Sequence, residues 1–381
     1  MFYTLTLNPC FDRTVRLSEP LLPGALHRLA EAATVTPGGK GVGVSRALTA
    51  LGAENVALVA VGGERGDAYL EALRTEGITA EAIPGTGVRE NLSILGADGR
   101  QTEVNEPGFP APDAERAAAD YLRAHLSRGD VVILSGSLPA GCDADTYARL
   151  VEVVHGCEAN AVVDTSGDAL AAALEAGADL LKPNAEEFAA LCRAKLPGAI
   201  LPGPVKKDVF PEDADKGASP DDAVKDASTD DADKENGSTD DADKDASPDG
   251  VLQTGASPED AARRALALSD AAEEFVGCWG GSLLVTDGAF GAVYADSDAV
   301  VYSPAEAVDH PKALKGAGDT YLAAFLWATF CLRLPVIEAM RAATSAAAAL
   351  VACGTLPAKD ALLSLYEREK TENEIQQRFI E

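Results

Sequence analysis

Along most of the chain, short apolar runs alternate with longer stretches in which apolar residues recur every three or four positions. The runs are Tyr3–Leu7, Val56–Val61, Val131–Leu134, Ala161–Val163, Asp179–Leu181 and Ser282–Val285. Their length and β-branched content predict buried strands. The periodic, alanine-rich stretches predict helices over Gly41–Leu51, Asp67–Thr75, Asp113–Leu126, Ala144–Val154, Ala185–Cys192, Glu259–Phe275, Asp319–Cys331 and Val336–Val351, with a last one near Ala358–Lys370. Such alternation predicts an α/β fold, a mostly parallel central sheet with helices on both faces. Two regions break the rhythm. Val15–Leu17 with Leu29–Thr36, and Leu92–Leu95 with Gln101–Val104, predict short β ribbons, the second turning at Asp98-Gly99. Together they predict a small accessory sheet, placed to close over the strand ends and exclude water.

Composition changes this picture at one place. The chain carries a net charge of −29, and residues 205–260 hold 18 Asp/Glu against 6 Lys/Arg. Within that stretch Ser228–Lys234 recurs letter for letter at Ser238–Lys244. A segment with so few large apolar residues cannot offset its ordering entropy, so 202–257 is expected to be a disordered acidic insertion. Its Asp-x-Asp pairs lack the central Gly and distal Glu of a calcium loop. The expected organisation is one domain made of 1–201 and 258–381, with accessory strands at about 13–36 and 88–105. The acidity argues against nucleic acid as a partner. The longest apolar run, Tyr321–Leu332, is shorter than a membrane span, so no membrane partner is expected. The opening residues have no charged leader pattern. Seven cysteines without a Cys-x-x-Cys pair read as reduced thiols, and a cytoplasmic location is expected. The four His and two Trp show no metal-ligand spacing and read as structural.

Three short motifs could carry chemistry. Gly316-Ala317-Gly318-Asp319 opens a helix, where glycines free backbone N–H groups to face an anion. An acidic residue there would repel a phosphate unless it takes a proton from a nucleophile, so Asp319 reads either as a general base or as a helix cap. Pro37-Gly38-Gly39-Lys40-Gly41-Val42-Gly43 also opens a helix, and is not a P-loop. It reads as a ligand cradle or a tight turn. Lys182-Pro183-Asn184-Ala185-Glu186-Glu187 follows a buried strand. Asn184 and Glu187 could orient a hydrated Mg²⁺ or could form a helix capping box.

With Asn8-Pro9-Cys10-Phe11-Asp12, these motifs form a set that resembles the ribokinase-like (PfkB) carbohydrate kinases, in the branch acting on sugar phosphates. The resemblance covers residues 1–200 and 258–365. It implies a ribokinase-like fold with a β-sheet lid, and ATP-dependent phosphorylation of a ketohexose monophosphate. Fructose 1-phosphate is the first expectation, tagatose 6-phosphate the second, and an unphosphorylated sugar or nucleoside the alternative. A non-catalytic sensor of the same fold is a third reading. By resemblance, Gly316, Ala317 and Gly318 form the anion hole and Asp319 is the base. Asp12, Arg28, Gly38, Gly39, Lys40, Arg89, Asn91 and Ser137 face the sugar phosphate. Lys182, Asn184, Thr286, Asp287, Gly288 and Gly291 lie on the nucleotide side, and Glu187 is linked to Mg²⁺. ATP and Mg²⁺ are the implied cofactors, a monovalent cation is a further one, and a homodimer through the lid sheet is the implied assembly.

The sequence departs from the family pattern at three places. Gly43 stands where Asn is usual, which removes an amide contact to the sugar of about 1 kcal/mol. Asp287 would repel nucleotide phosphates unless it points away or meets a cation. Lys315 replaces an apolar residue and could reach the γ-phosphate.

Overall fold

A computed structural model of the chain describes residues 1–196, 258–308, 312, 315–356, 359, 360, 363, 364 and 367. The chain divides into two units, Met1–Pro202 with Val251–Glu381, and Gly203–Gly250. The second unit, and with it the whole of the acidic insertion expected at 202–257, lies outside the described residues. Of the last expected helix, residues 359, 360, 363, 364 and 367 are described and helical.

The elements follow in chain order. The first part runs β1 (Phe2–Thr6), β2 (Cys10–Arg16), β3 (Thr34–Gly38), α1 (Lys40–Ala50), β4 (Asn55–Val61), α2 (Gly63–Thr75), β5 (Ala80–Pro84), β6 (Arg89–Leu95) and β7 (Gln101–Asn105). The middle runs α3 (Ala114–His125), β8 (Val131–Ser135), α4 (Thr146–Gly156), β9 (Asn160–Asp164), α5 (Gly167–Glu175), β10 (Leu180–Leu181) and α6 (Ala185–Lys195). After the insertion come α7 (Pro258–Trp279), β11 (Ser282–Thr286), a 3₁₀ turn at Gly288–Phe290, β12 (Ala292–Ala295), β13 (Val300–Ser303), α8 (Ala317–Phe330) and α9 (Val336–Cys353).

The main sheet has the order β13-β12-β11-β10-β9-β8-β1-β4-β5. From β11 to β5 every neighbouring pair is parallel; β12 and β13 are antiparallel. Both faces are covered, which is why the strands read as nearly continuous apolar runs. Successive residues nonetheless point opposite ways. Tyr3 and Leu5 of β1, Val132 and Leu134 of β8, and Val56 and Leu58 of β4 face one core, under α3 to α7. Phe2, Val131 and Ile133 face the other, under α1, α8 and α9. Ala57 and Val59 of β4 face a third cluster with Tyr69 and Leu73 of α2. Each fully buried Leu stabilises the fold by about 1.5–3 kcal/mol.

Helix α8 has no polar face, because Thr320–Ala328 is buried all round. That accounts for the apolar run at 321–332. By length and composition alone α9 could cross a membrane. Here it packs on α8, burying Ala339, Met340, Ala343 and Ala346. The predicted strands and helices are present. Strands β5, β12 and β13 and helix α5 were not anticipated, because each is short and lacks a sustained period.

The accessory sheet has the order β3-β2-β6-β7. Strands β2 and β6 are parallel, whereas β2–β3 and β6–β7 are antiparallel. The ribbons expected around 13–36 and 88–105 join into one small sheet, as expected. Its register puts Asp12 opposite Asn91 on one side and Thr36 on the other.

Candidate active site

The parallel strands β1, β8, β9, β10 and β11 end on one edge of the sheet. Thr6, Ser135, Asp164 and Thr286 end their strands, and Lys182 directly follows β10. Above them lies a cavity of about 210 Å³ whose walls include Asn8, Lys40, Arg89, Ser137, Thr165 and Glu187. Lid, sheet and helix α1 each contribute to it, as expected for a ligand site at strand C-termini.

A chain of charges runs through this region. Asp164, at the end of β9, is fully buried. Its Oδ1 accepts from Lys40 Nζ at 2.9 Å, and Lys182 Nζ lies 3.4 Å from its Oδ2. Burial disfavours the Lys40 ammonium, but the contact with Asp164 outweighs it and holds the Lys40 pKa above its usual value. Lys182 is 4% exposed. Its Nζ lies 3.8 Å from where a Cβ on Gly318 would stand, so it borders the glycine turn at the start of α8. Gly316, the N-cap of α8, has a φ of 85°, a conformation that glycine adopts without strain. Asp319 follows in the first turn and makes no side-chain cap bond at that end. The cap reading of Asp319 therefore has no contact behind it. Burial, with the like charge of Asp164 adding, pushes the Asp319 carboxyl up to about 7, against the pull of Lys182, Lys40 and Arg46. A carboxyl poised there can take a proton near neutral pH.

The lid side is built by register. Asn91 Nδ2 donates to Asp12 Oδ1 at 3.2 Å and to Cys10 Sγ at 3.1 Å. Burial and Asp12 push the Cys10 thiol up to about 12, so it stays protonated. A Cβ on Gly38 would lie 2.1 Å from Asp12 Oδ2, so only glycine leaves room for this carboxylate beside β3. Gly39, with φ 125°, is the N-cap of α1. Lys315 Nζ sits 2.6 Å from Asp12 Oδ1. It is therefore engaged with the lid aspartate, not aimed along the glycine turn. Arg89 donates from Nη1 to the Glu106 carbonyl at 3.0 Å, while its Nε is buried without a partner. Asn8 Nδ2 donates to Ser137 Oγ at 3.0 Å, and both residues line the cavity. Arg28 is exposed in the connection between β2 and β3, makes no ion pair among the described residues and is not among those lining the cavity.

At Asn184 and Glu187 the capping-box reading holds. Asn184 Oδ1 accepts from the Glu187 N–H at 2.8 Å, and Glu187 Oε2 accepts from the Asn184 N–H at 2.9 Å. This is a complete capping box on α6. Asn184 Oδ1 and Glu187 Oε2 are thereby committed to the backbone, although Glu187 still lines the cavity. Among the described residues no three His, Cys, Asp or Glu side chains converge as a metal cage. Thr286 ends β11 and bridges to Asn184, its N–H donating to the Pro183 carbonyl at 3.1 Å. Gly288 and Gly291 have φ of 55° and 101°. A Cβ on Gly291 would lie 2.2 Å from the Ser303 carbonyl oxygen, so the loop packs tightly against β13. Asp287 is not a free charge in this loop. Arg264 of α7 grips it from Nε at 2.5 Å and Nη2 at 2.8 Å, and also stacks over Phe290 at 5.0 Å. The repulsion expected of Asp287 is neutralised by a residue 23 positions earlier.

Sequence reasoning did not single out Asp164, Arg46 or Thr165, and used Asn8 only as part of the Asn8–Asp12 motif. Asp164 had a usable clue, since it immediately follows the apolar run 161–163 at a strand C-terminus. Arg46 had none, because on a helix it looked like any surface cation.

A family model described as pfkB family carbohydrate kinase matches residues 5–209, and the chain belongs to that family. More particularly, it is 37% identical over 194 residues to the 1-phosphofructokinase of Xanthomonas campestris pv. campestris, covering 49% of this chain and 60% of the relative. It is 36% identical over 189 residues to the 1-phosphofructokinase of Bacillus subtilis, covering 49% and 61%. The matches thus span about three-fifths of the length of these relatives. Among solved structures, Escherichia coli phosphofructokinase-2 in complex with substrates and products superposes with a TM-score of 0.72 at 23% identity, covering 96% of this chain and 98% of that one. Ribokinase of Arabidopsis thaliana, complexed with ribose and ATP, superposes with a TM-score of 0.61 at 15% identity, covering 96% and 98%. These likenesses establish the ribokinase-like fold.

Proposed function

We propose that the protein transfers the γ-phosphoryl group of ATP to a hydroxyl of a ketohexose monophosphate, with fructose 1-phosphate as the substrate and fructose 1,6-bisphosphate as the product. The observation that carries this reading is Asp319, a carboxyl held at about 7 in the first turn of α8, beside Lys40 and Lys182. Asp319 takes the proton from the attacking hydroxyl as its oxygen bonds to the γ-phosphorus and the bond to the ADP oxygen breaks. The proton released and the ADP leave with the bisphosphate.

Phosphoryl transfer needs positioning and charge neutralisation more than covalent help. The N–H groups of the turn at Gly316, Ala317 and Gly318 receive the transferring phosphoryl oxygens, with Lys182 alongside. Asp12, held by Asn91, receives sugar hydroxyls, and Gly38 and Gly39 let the ligand approach the backbone. Arg89, whose Nε is buried without a partner, supplies the charge for the substrate phosphate, with Ser137 and Asn8 as neutral donors. The loop Thr286–Gly291 carries the nucleotide. Lys40 is committed to Asp164 and Arg28 stands outside the cavity, so the case for a phosphorylated substrate rests on Arg89. A magnesium ion carried in by the nucleotide needs only one or two protein carboxylates. Glu187, at the cavity wall with Oε1 outside the capping box, would hold such an ion, and the ion would neutralise phosphate charge. We also place a homodimer contact on the lid sheet, where Val35 and Val104 are 43% and 56% exposed, and the enzyme in the cytoplasm, its seven cysteines all being free thiols.

An ADP-release assay over fructose 1-phosphate, fructose 6-phosphate, tagatose 6-phosphate and free fructose tests the reading. The highest kcat/KM is expected with fructose 1-phosphate. Turnover of free fructose at a similar kcat/KM would favour a kinase of neutral sugars, and no turnover with any of them would favour a sensor.

A further inference from the structure

Lys315 directly precedes Gly316, the N-cap of α8, and reaches from that turn to the lid. Its Nζ lies 2.6 Å from Oδ1 of Asp12, on β2 and 303 positions earlier in the chain. The bridge thus joins the lid to the glycine turn. Helix α2 holds the lid elsewhere: Arg65 pairs with Glu90 of β6 at 3.0 Å, and the Tyr69 hydroxyl donates to the Gly38 carbonyl at 2.5 Å. An apolar residue is usual at 315, so the bridge is a property of this chain and not a requirement of the fold.

Asp12 is the acceptor assigned to sugar hydroxyls, and its oxygens are already engaged. Oδ1 accepts from Lys315, from Asn91 Nδ2 at 3.2 Å and, weakly, from Cys10 Sγ at 3.4 Å. Oδ2 fills the space that a side chain on Gly38 would take. A carboxylate oxygen offers about two lone-pair sites, so a hydroxyl that bonds to Oδ1 must replace a donor. Asn91 is 8% exposed and is fixed by the register of β6 with β2. The Lys315 side chain is 48% exposed and stands on a flexible stem, so its ammonium is the donor that leaves, into water. The charge of Lys315 also attracts an anionic sugar. That attraction is screened over about 8 Å at physiological salt, whereas the competition acts at contact, so competition wins.

We propose that Lys315 is an affinity-determining residue: its ammonium straps the lid to the turn of α8 through Asp12, and a sugar hydroxyl displaces it to reach that carboxylate. This rests on the reading of Asp12 as the acceptor of sugar hydroxyls. The free energy of the bridge is subtracted from sugar binding, as for any ligand that must select the unbridged state. A half-exposed ion pair is weak, so the strap weakens sugar binding by about two- to fivefold and leaves the enzyme able to bind.

The test measures the Kd of fructose 1-phosphate, fructose 6-phosphate and tagatose 6-phosphate by titration calorimetry without ATP, for wild type, Lys315→Met and Lys315→Arg. With the sugar phosphate that wild type binds best, Lys315→Met is expected to lower Kd about two- to fivefold. Lys315→Arg keeps an ion pair and does not lower it. A Kd that rises in Lys315→Met overturns the inference, because Lys315 is then a contact to the ligand, and an unchanged Kd or an equal fall in Lys315→Arg overturns it as well. A second measurement needs no ligand: acetylation of Lys315 by acetic anhydride, read by mass spectrometry, is expected to run at least about twofold faster in Asp12→Asn than in wild type, since the pair that shields the ammonium is gone. Equal rates overturn the strap. If no sugar phosphate binds wild type, the reading of the site fails instead, and the acetylation rates decide the strap by themselves.

Discussion

Replacing Asp319 with Asn should make the protein more stable and nearly inactive, and the gain in stability should depend on pH in a defined way. The carboxyl stands at about 7 in the folded chain, against a reference value of 3.8. The folded state therefore binds this proton more tightly than the unfolded state does. Stability from this group is present at low pH and is lost as pH rises through 7. Integrating the difference in proton binding gives a loss of about 2.6 kcal/mol between pH 5 and pH 8. Solvent reaching the half-buried carboxylate trims that figure, and about 1–2.6 kcal/mol is the range expected. Asn keeps the shape and cannot ionise, so the stability of the variant relative to wild type should rise by that amount over the same interval, then level off. Urea unfolding at pH 5, 6, 7 and 8, followed by the fluorescence of Trp327, which is 4% exposed on α8, measures it. In parallel kcat should fall by about 10²- to 10⁴-fold with KM for ATP little changed. A stability difference flat within about 0.5 kcal/mol from pH 5 to 8 would show that the folded chain does not hold this proton. Near wild-type turnover would remove Asp319 from the chemistry.

Four further outcomes follow from other parts of the site. Arg89→Ala should raise KM for the sugar phosphate at least tenfold more than KM for ATP, as steady-state kinetics in both substrates would show; the reverse split would put the lid over the nucleotide. Asp164→Asn leaves the buried Lys182 without its counter-charge and should cost about 3–5 kcal/mol in denaturant unfolding. It also removes a like charge from beside Asp319, so whatever activity remains should show its acid limb below that of wild type. Arg264→Ala bares Asp287 beside the nucleotide loop and should raise KM for ATP while sparing KM for the sugar phosphate, an effect that Asp287→Asn in the same chain should relieve. Deleting residues 205–256 removes much of the negative charge and should leave kcat largely unchanged, with KM for both anionic substrates falling modestly at low salt and converging on wild type at high salt; a large loss of kcat would mean that the segment serves the site.

The alternation of apolar runs and periodic stretches was enough to predict a covered parallel sheet, because strands buried on both faces must be apolar throughout and their helices must each present a stripe. The glycine turns at 38–41 and 316–318 were visible for a similar reason: they are local, and each opens its own helix. Asp319 was legible as a candidate because an acid at such a turn needs an explanation. What local pattern could not convey was which charges meet. Asp164 joins Lys40 and Lys182 only because two strands end and helix α1 begins at one edge, bringing together residues 124 and 18 positions apart along the chain. Asp287 was read as a hazard to the nucleotide, and only the packing of α7 brings Arg264 onto it. Arg28 looked equivalent to Arg89 in the sequence, yet the sheet carries Arg89 to the cavity and leaves Arg28 on an exposed connection. Asn184 and Glu187 fitted both a metal site and a capping box, and the box formed because its partners are three residues apart and need no tertiary help. The gap at Gly43 looked like a missing amide. Folding brings Asp319 Oδ2 to 2.3 Å from where a Cβ at 43 would stand, because a helix and a turn 276 residues apart in sequence meet across the cleft.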